Sequence, residues 1–92
     1  MVIKKVMCAC GGGMGSSLLM RLNVEEVLQE LNYNDVEVVH NALTDAIEGS
    51  ADLFVVSEEL EYFTKELTNV ILIKNIFSKE EIKSKIEDFL NS

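Results

Sequence analysis

The stretch Cys10-Gly11-Gly12-Gly13-Met14-Gly15-Ser16-Ser17 constrains this chain more than any other. An apolar run, Val2 to Ala9, leads into it, and an amphipathic stretch, Leu18 to Leu31, leads away. The pattern predicts a strand that hands over to a helix, with a thiol at the lip of the turn between them. The glycines at positions 11, 12, 13 and 15 let the backbone fold tightly and turn its N–H groups inward without Cβ clashes. The following helix, opened by Ser16 or Ser17, aims unpaired N–H donors and a partial positive charge at the same spot. Such a turn binds anions, phosphate above all. It also favours thiolate over thiol. Cys10 is therefore the candidate nucleophile, and Gly11, Gly12, Gly13, Met14, Gly15, Ser16 and Ser17 form the candidate phosphate-binding loop. A nucleophilic sulfur inside a phosphate cradle can take a phosphoryl group and hold it.

The rest of the chain alternates. Val2 to Ala9 is the first strand, and Met20, Val24, Val27, Leu28 and Leu31 recur on one face of the first helix. Asn32 and Asn34 around Tyr33 mark its end as a turn. Val36 to Val39 is the second strand. Asn41 to Glu48 is a short helical piece closed by Gly49. Leu53 to Val56 is a strand apolar enough to be buried on both faces. Ser57 is placed to cap a helix over Glu58 to Glu66, with acidic residues in its first turn. Val70 to Ile73 is the fourth strand. Ser78 and Glu81 have the spacing of a capping box for a last helix that carries Ile82, Ile86, Phe89 and Leu90 on one side. The order β-α-β-α-β-α-β-α predicts an α/β fold: a four-stranded parallel sheet with helices on both faces. Right-handed crossovers and a switch point at the first strand give the strand order 2-1-3-4. The cysteine loop then lies at the carboxyl edge of the sheet, where such folds bind ligands, in the manner of a cysteine phosphatase.

The 92 residues suffice for a single domain, 1–92, with one core. No apolar run reaches the roughly 20 residues that span a bilayer, and the N-terminus lacks a signal-peptide pattern, so a cytoplasmic location is expected. The only cysteines, Cys8 and Cys10, stand two residues apart along an extended segment, poorly placed to bridge each other. Net charge is −8, with no basic cluster, which argues against a nucleic-acid partner. That charge also repels phosphate at long range, so the loop must work through local dipoles at contact distance.

Other glycine-loop chemistries fit poorly. A Walker loop needs Lys before Ser or Thr, where this chain has Gly15. A dinucleotide fingerprint needs Gly where Ser16 stands, and an acid at the end of the second strand, where His40 stands. The low-molecular-weight tyrosine phosphatases share the architecture but use C-x5-R. Here C-x5 ends in Ser16, which cannot supply a guanidinium to the transition state. Their aspartate general acid stands next to proline, and this chain has no proline. A loop that holds a phosphocysteine without equipment to hydrolyse it suits a carrier.

The segment CGGGMGSSLLMRLNVEEVL resembles the active-site segment of the IIB components of the bacterial phosphoenolpyruvate-dependent sugar phosphotransferase system, or PTS. The motif C-G-x-G-x-G-S-S followed by a basic residue is most similar to the ascorbate type. The lactose/cellobiose type is similar through Gly13-Met14, and the galactitol type shares the cysteine and first glycines. The resemblance implies a phosphotransferase in which Cys10 takes phosphate from a phosphohistidine of a IIA protein. Cys10 then gives it to a sugar, such as ascorbate, held by a membrane IIC component. Residues 11–17 would wrap the phosphate, and no cofactor or metal is implied. Two other readings stand beside it: a regulatory phospho-domain read by a transcriptional regulator, and an enzyme like the small phosphatases or arsenate reductases. Cys8 reads as a small core residue. His40 is either a neighbour of the phosphate or an incidental histidine. Arg21 is either a contact for phosphate or a partner, or a solvated surface residue. Met14, at the loop tip, is a candidate contact for a partner protein.

Overall fold

Short apolar runs that form four strands, set against longer helical stretches, dictate the layers. A computed structural model describes residues 3–9, 14–41 and 46–91. Its strands are β1 (Lys5–Ala9), β2 (Glu37–His40), β3 (Leu53–Ser57) and β4 (Val70–Ile73), and its α-helices are α1 (Met14–Glu30) and α2 (Lys79–Leu90). A 3-10 helix, Glu58–Thr64, lies between β3 and β4. The strands form one parallel sheet in the order β2-β1-β3-β4, as the sequence predicts. Register is set by Cys8 opposite His40, Ala9 opposite Val56, and Ser57 opposite Ile73.

Each strand sends alternate residues to opposite faces. Val6 and Cys8, Val38, Leu53 and Val55, and Ile71 and Ile73 meet Met20, Val24, Val27 and Leu28 of α1 and Ile82 and Ile86 of α2. Met7, Ala9, Phe54 and Val56 form the other layer with Ala46, and Leu60 and Leu67 pack against them. Both α-helices thus cover one face, and the 3-10 helix covers part of the other. Ile82 and Ile86 are fully buried, each contributing about 1.5–3 kcal/mol of transfer free energy.

The ends of the elements follow local chemistry. Asn32 adopts φ 68°, its N–H donates to the Gln29 carbonyl and that of Tyr33 to the Leu28 carbonyl, a Schellman closure of α1. At the amino edge of the sheet, the Asp52 carboxylate accepts from the N–H groups of Lys4 and Lys5 at 2.8 and 3.0 Å. Those two bonds hold the Asp52 carboxyl below its ordinary range. Between the helices, Lys79 pairs with Glu26 and Glu30, and Lys83 also pairs with Glu30.

Four expectations are corrected. The first helix opens at Met14, ahead of Ser16 and Ser17. Glycine and methionine carry no start signal, yet the leading turn needs no intrahelical acceptor and so tolerates Gly15. The first strand begins at Lys5: Ile3 and Lys4 precede it, and Val2 lies outside the described residues. The segment expected as an α-helix over Glu58 to Glu66 is the 3-10 helix, and the Ser57 side chain makes no cap bond. Ser57 is the last rung of β3, buried and held in the ladder opposite Ile73. The Thr64 hydroxyl donates to the Glu61 carbonyl three residues back, which tightens the turn. The capping box is half made: Ser78 accepts from the Glu81 N–H at 3.2 Å, but the Glu81 carboxylate turns away to the N–H groups of Lys74 and Asn75. The helical piece expected over Asn41 to Glu48 falls mostly on residues 42–45, outside the described residues. Asn41, Ala46 and Ile47 are non-helical, and Gly49, with φ 91°, lies in a turn and not at the end of a described helix.

Candidate functional site

β1 delivers the chain to the carboxyl edge of the sheet at Ala9, and α1 carries it away from Met14. Four residues, 10–13, make that connection, and Cys10, Gly11, Gly12 and Gly13 lie outside the described residues. Met14, Gly15, Ser16 and Ser17 belong to the leading turn of α1, where an α-helix has no internal acceptors for its N–H groups. These four expected loop residues are therefore helical. The Ser17 side chain is buried, whereas Ser16 is half-buried. A Cβ built on Gly15 would meet nothing within 4 Å, so open space lies over the leading turn. Gly15 leaves room there; no backbone strain requires it.

Cys8 is a core residue, as the sequence suggests. It is fully buried under α1. Burial pushes its thiol up to about 12, Glu25 pushes the same way, and Arg21 opposes them. A thiol so buried and suppressed is a poor nucleophile at neutral pH. Among the described residues no group of three His, Cys, Asp or Glu side chains lies close enough to hold a metal ion.

The structure brings together two residues that the sequence leaves separate. Arg21, on the second turn of α1, reaches His40 at the end of β2, with Nη1 and Nδ1 3.1 Å apart. Arginine has no acceptor, so the contact is a hydrogen bond in the tautomer whose Nδ1 accepts. Arg21 Nε lies 3.6 Å from a Glu25 carboxylate oxygen and makes no hydrogen bond, although it is shielded from solvent. The parallel pairing of β1 with β2 puts His40 opposite Cys8, and the Asn41 N–H donates to the Cys8 carbonyl at 3.1 Å. A cationic side chain and a histidine thus stand together at the edge where β1 ends. The two residues are visible in the sequence, but their pairing depends on the direction of α1 across β1 and β2.

No described helix is long and apolar enough to cross a membrane. The chain matches the family described as the lactose/cellobiose-specific IIB subunit of the PTS over residues 5–88. It is 32% identical over 88 residues to the ascorbate-specific PTS EIIB component of Mycoplasma pneumoniae, an alignment that covers 92% of this chain and 93% of that protein. The two names differ in sugar and agree in component. IIB components are phosphotransferases that carry phosphate to sugar through a cysteine, and they interact with IIA and IIC partners. A four-stranded parallel sheet in the order 2-1-3-4, with a short crossing from β1 to α1 that begins at a cysteine, belongs to this chain as a member of the PTS IIB family.

Proposed function

We propose that Cys10 is the phosphoryl carrier. Its thiolate attacks phosphorus on a phosphohistidine of the cognate IIA protein. The S–P bond forms as the N–P bond breaks, and the departing imidazole takes up a proton. In the second half-reaction a hydroxyl oxygen of a sugar held by IIC attacks the same phosphorus. The S–P bond breaks, the thiolate is restored, and the hydroxyl proton passes to a base. Both displacements depend on positioning and on stabilising the charge of the transferring group.

The observation that carries the reading is the placement of the remaining cysteine. Cys8 is buried, its thiolate suppressed, while Cys10 is the first residue of the link between β1 and the leading turn of α1. Gly11, Gly12 and Gly13, with Met14, Gly15, Ser16 and Ser17, would supply the main-chain donors. That role is supported by the helical leading turn and the open space over Gly15. Arg21, in contact with His40, would add positive potential beside it. The ascorbate type is favoured for the sugar by the likeness to the Mycoplasma pneumoniae protein. The chain would work in the cytoplasm, between a IIA donor and the inner face of IIC. Incubation with phosphoenolpyruvate, the general phosphotransfer proteins and IIA should load one phosphoryl group. Membranes bearing IIC and ascorbate should then discharge it, and loading without discharge to any sugar would overturn the carrier reading.

A further inference from the structure

A chain of net charge −8 must hold a phosphoryl group against its own field, so a cation at contact distance carries weight. The Lys and Arg side chains are few, and most lie elsewhere. Lys4 and Lys5 stand at the amino edge of the sheet, where Asp52 accepts from their N–H groups. Lys79, Lys83 and Lys85 pair with Glu26, Glu30 and Glu81. Lys65 lies over the Tyr62 ring, and Lys74 follows β4, two places from β1 in the sheet. Arg21 is the cation of the corner where β1 and β2 end.

Two chain paths lead from Arg21 to the proposed phosphate site. On the sheet side, its guanidinium contacts His40 at 3.1 Å, and His40 is in register with Cys8. Cys10 follows Cys8 by two residues, a span of at most about 7 Å. On the helix side, Arg21 stands four residues after Ser17, one turn along the same face of α1. The Cα–Cβ bonds of a helix tilt toward its N-terminus, so the Arg21 side chain leaves its backbone in the direction of the leading turn. The charges of this corner are felt at β1: burial and then Glu25 raise the Cys8 thiol, and Arg21 opposes them.

The guanidinium is also incompletely used. Nη1 meets His40, while Nε lies 3.6 Å from a Glu25 oxygen, out of solvent and without a hydrogen bond. A charged donor left in that state is costly, and an anion that meets it relieves the cost. A guanidinium carries five N–H donors in a planar fork that matches the oxygens of a phosphoryl group.

We propose that Arg21 binds the phosphoryl group of the loaded protein, its guanidinium steadied by His40 and Glu25 and donating to the phosphate oxygens on Cys10. This rests on the carrier reading of Cys10 and adds a charged side chain to a site otherwise built from main-chain donors. The guanidinium comes from the second turn of α1, five residues beyond Ser16, where the small phosphatases place theirs. The test compares the wild type with Arg21→Gln and Arg21→Lys, each checked for folding by far-UV circular dichroism. Phosphoryl exchange with phosphorylated IIA is followed to equilibrium, and the second ionisation of the phosphate on Cys10 is read by phosphorus NMR. Arg21→Gln should shift the exchange equilibrium at least about tenfold toward phosphorylated IIA. It should also raise the midpoint of the phosphate ionisation by about one pH unit or more, because a neighbouring cation favours the dianion. Arg21→Lys keeps the charge without the fork and should fall between the two. A phosphate titration unchanged in Arg21→Gln overturns the proposal. Combined with slower exchange it would place Arg21 on the IIA partner, and combined with unaltered exchange it would make Arg21 a surface residue. If the wild type takes up no phosphate at Cys10, the carrier reading fails, and the proposal for Arg21 falls with it.

Discussion

Alkylation should separate the two cysteines by orders of magnitude. In a Cys10→Ser variant Cys8 is the sole thiol, because the chain has only these two. Cys8 is fully buried, and its thiol rises from 9.0 to about 12. Iodoacetamide reacts with thiolate, so that rise lowers the reactive fraction at neutral pH about a thousandfold relative to an unperturbed thiol. Exclusion of the reagent slows it further. The assay follows mass gain of the variant in buffer and in concentrated urea. The expected ratio of rates is at least about a thousand, and any native labelling should track transient unfolding. A raised folded-state pKa also fixes the sign of the pH effect. The contribution of Cys8 to stability is complete below 9.0 and is lost as pH rises through about 12, because only the unfolded chain ionises in that window. Labelling of native Cys10→Ser protein within about tenfold of the urea rate would refute the reasoning, since it would put an accessible thiolate where the structure has a core residue.

Four further outcomes follow from the packing and the polar bonds. Ile86→Ala should lower unfolding free energy by about 2–5 kcal/mol in urea titration, because a fully buried side chain between α2 and the sheet leaves a cavity. Glu81→Gln should lower it by about 1–2 kcal/mol, since the carboxylate accepts from the N–H groups of Lys74 and Asn75 and from the Lys85 ammonium. Burial raises the Glu81 carboxyl, but those donors outweigh it and leave it lowered. Its stabilisation is therefore present above the ordinary carboxylate range and disappears as pH falls through the folded value, so the Gln variant should show a flatter acid limb. In the neutral ring, nitrogen NMR of His40 should show a bare Nδ1 and a protonated Nε2. A protonated Nδ1 would contradict the Arg21 contact, and Arg21→Ala should abolish the fixed tautomer.

The frame of the fold is written in the sequence because its strands are short, near-continuous apolar runs and its helices are apolar at period 3.6. Val6 and Cys8 against Met7 and Ala9 already name the two faces of β1, and Met20, Val24 and Val27 name the buried stripe of α1. The stop at Asn32 was equally legible, since a short amide side chain tolerates the left-handed conformation that ends α1. Other features were not, because longer-range partners decide them. Ser57 has the composition of a helix cap, but its ladder with Ile73 takes precedence. Glu81 has the spacing of a capping box, but the loop after β4 offers its carboxylate two nearer N–H groups. At the candidate site, the sequence proposes Cys10 by its glycines and sets Cys8 aside by its place in a strand. It leaves Arg21 and His40 apart, because nothing local states that a residue on α1 will cross β1 to the end of β2.

The account is tested most directly by the position of the phosphoryl group on the loaded protein. Fragment mass spectrometry of the chain after exposure to phosphorylated IIA should place the group on Cys10, with Cys8 unmodified and no uptake by the Cys10→Ser variant. Phosphate on any other side chain, or undiminished uptake by that variant, would contradict the assignment of the carrier.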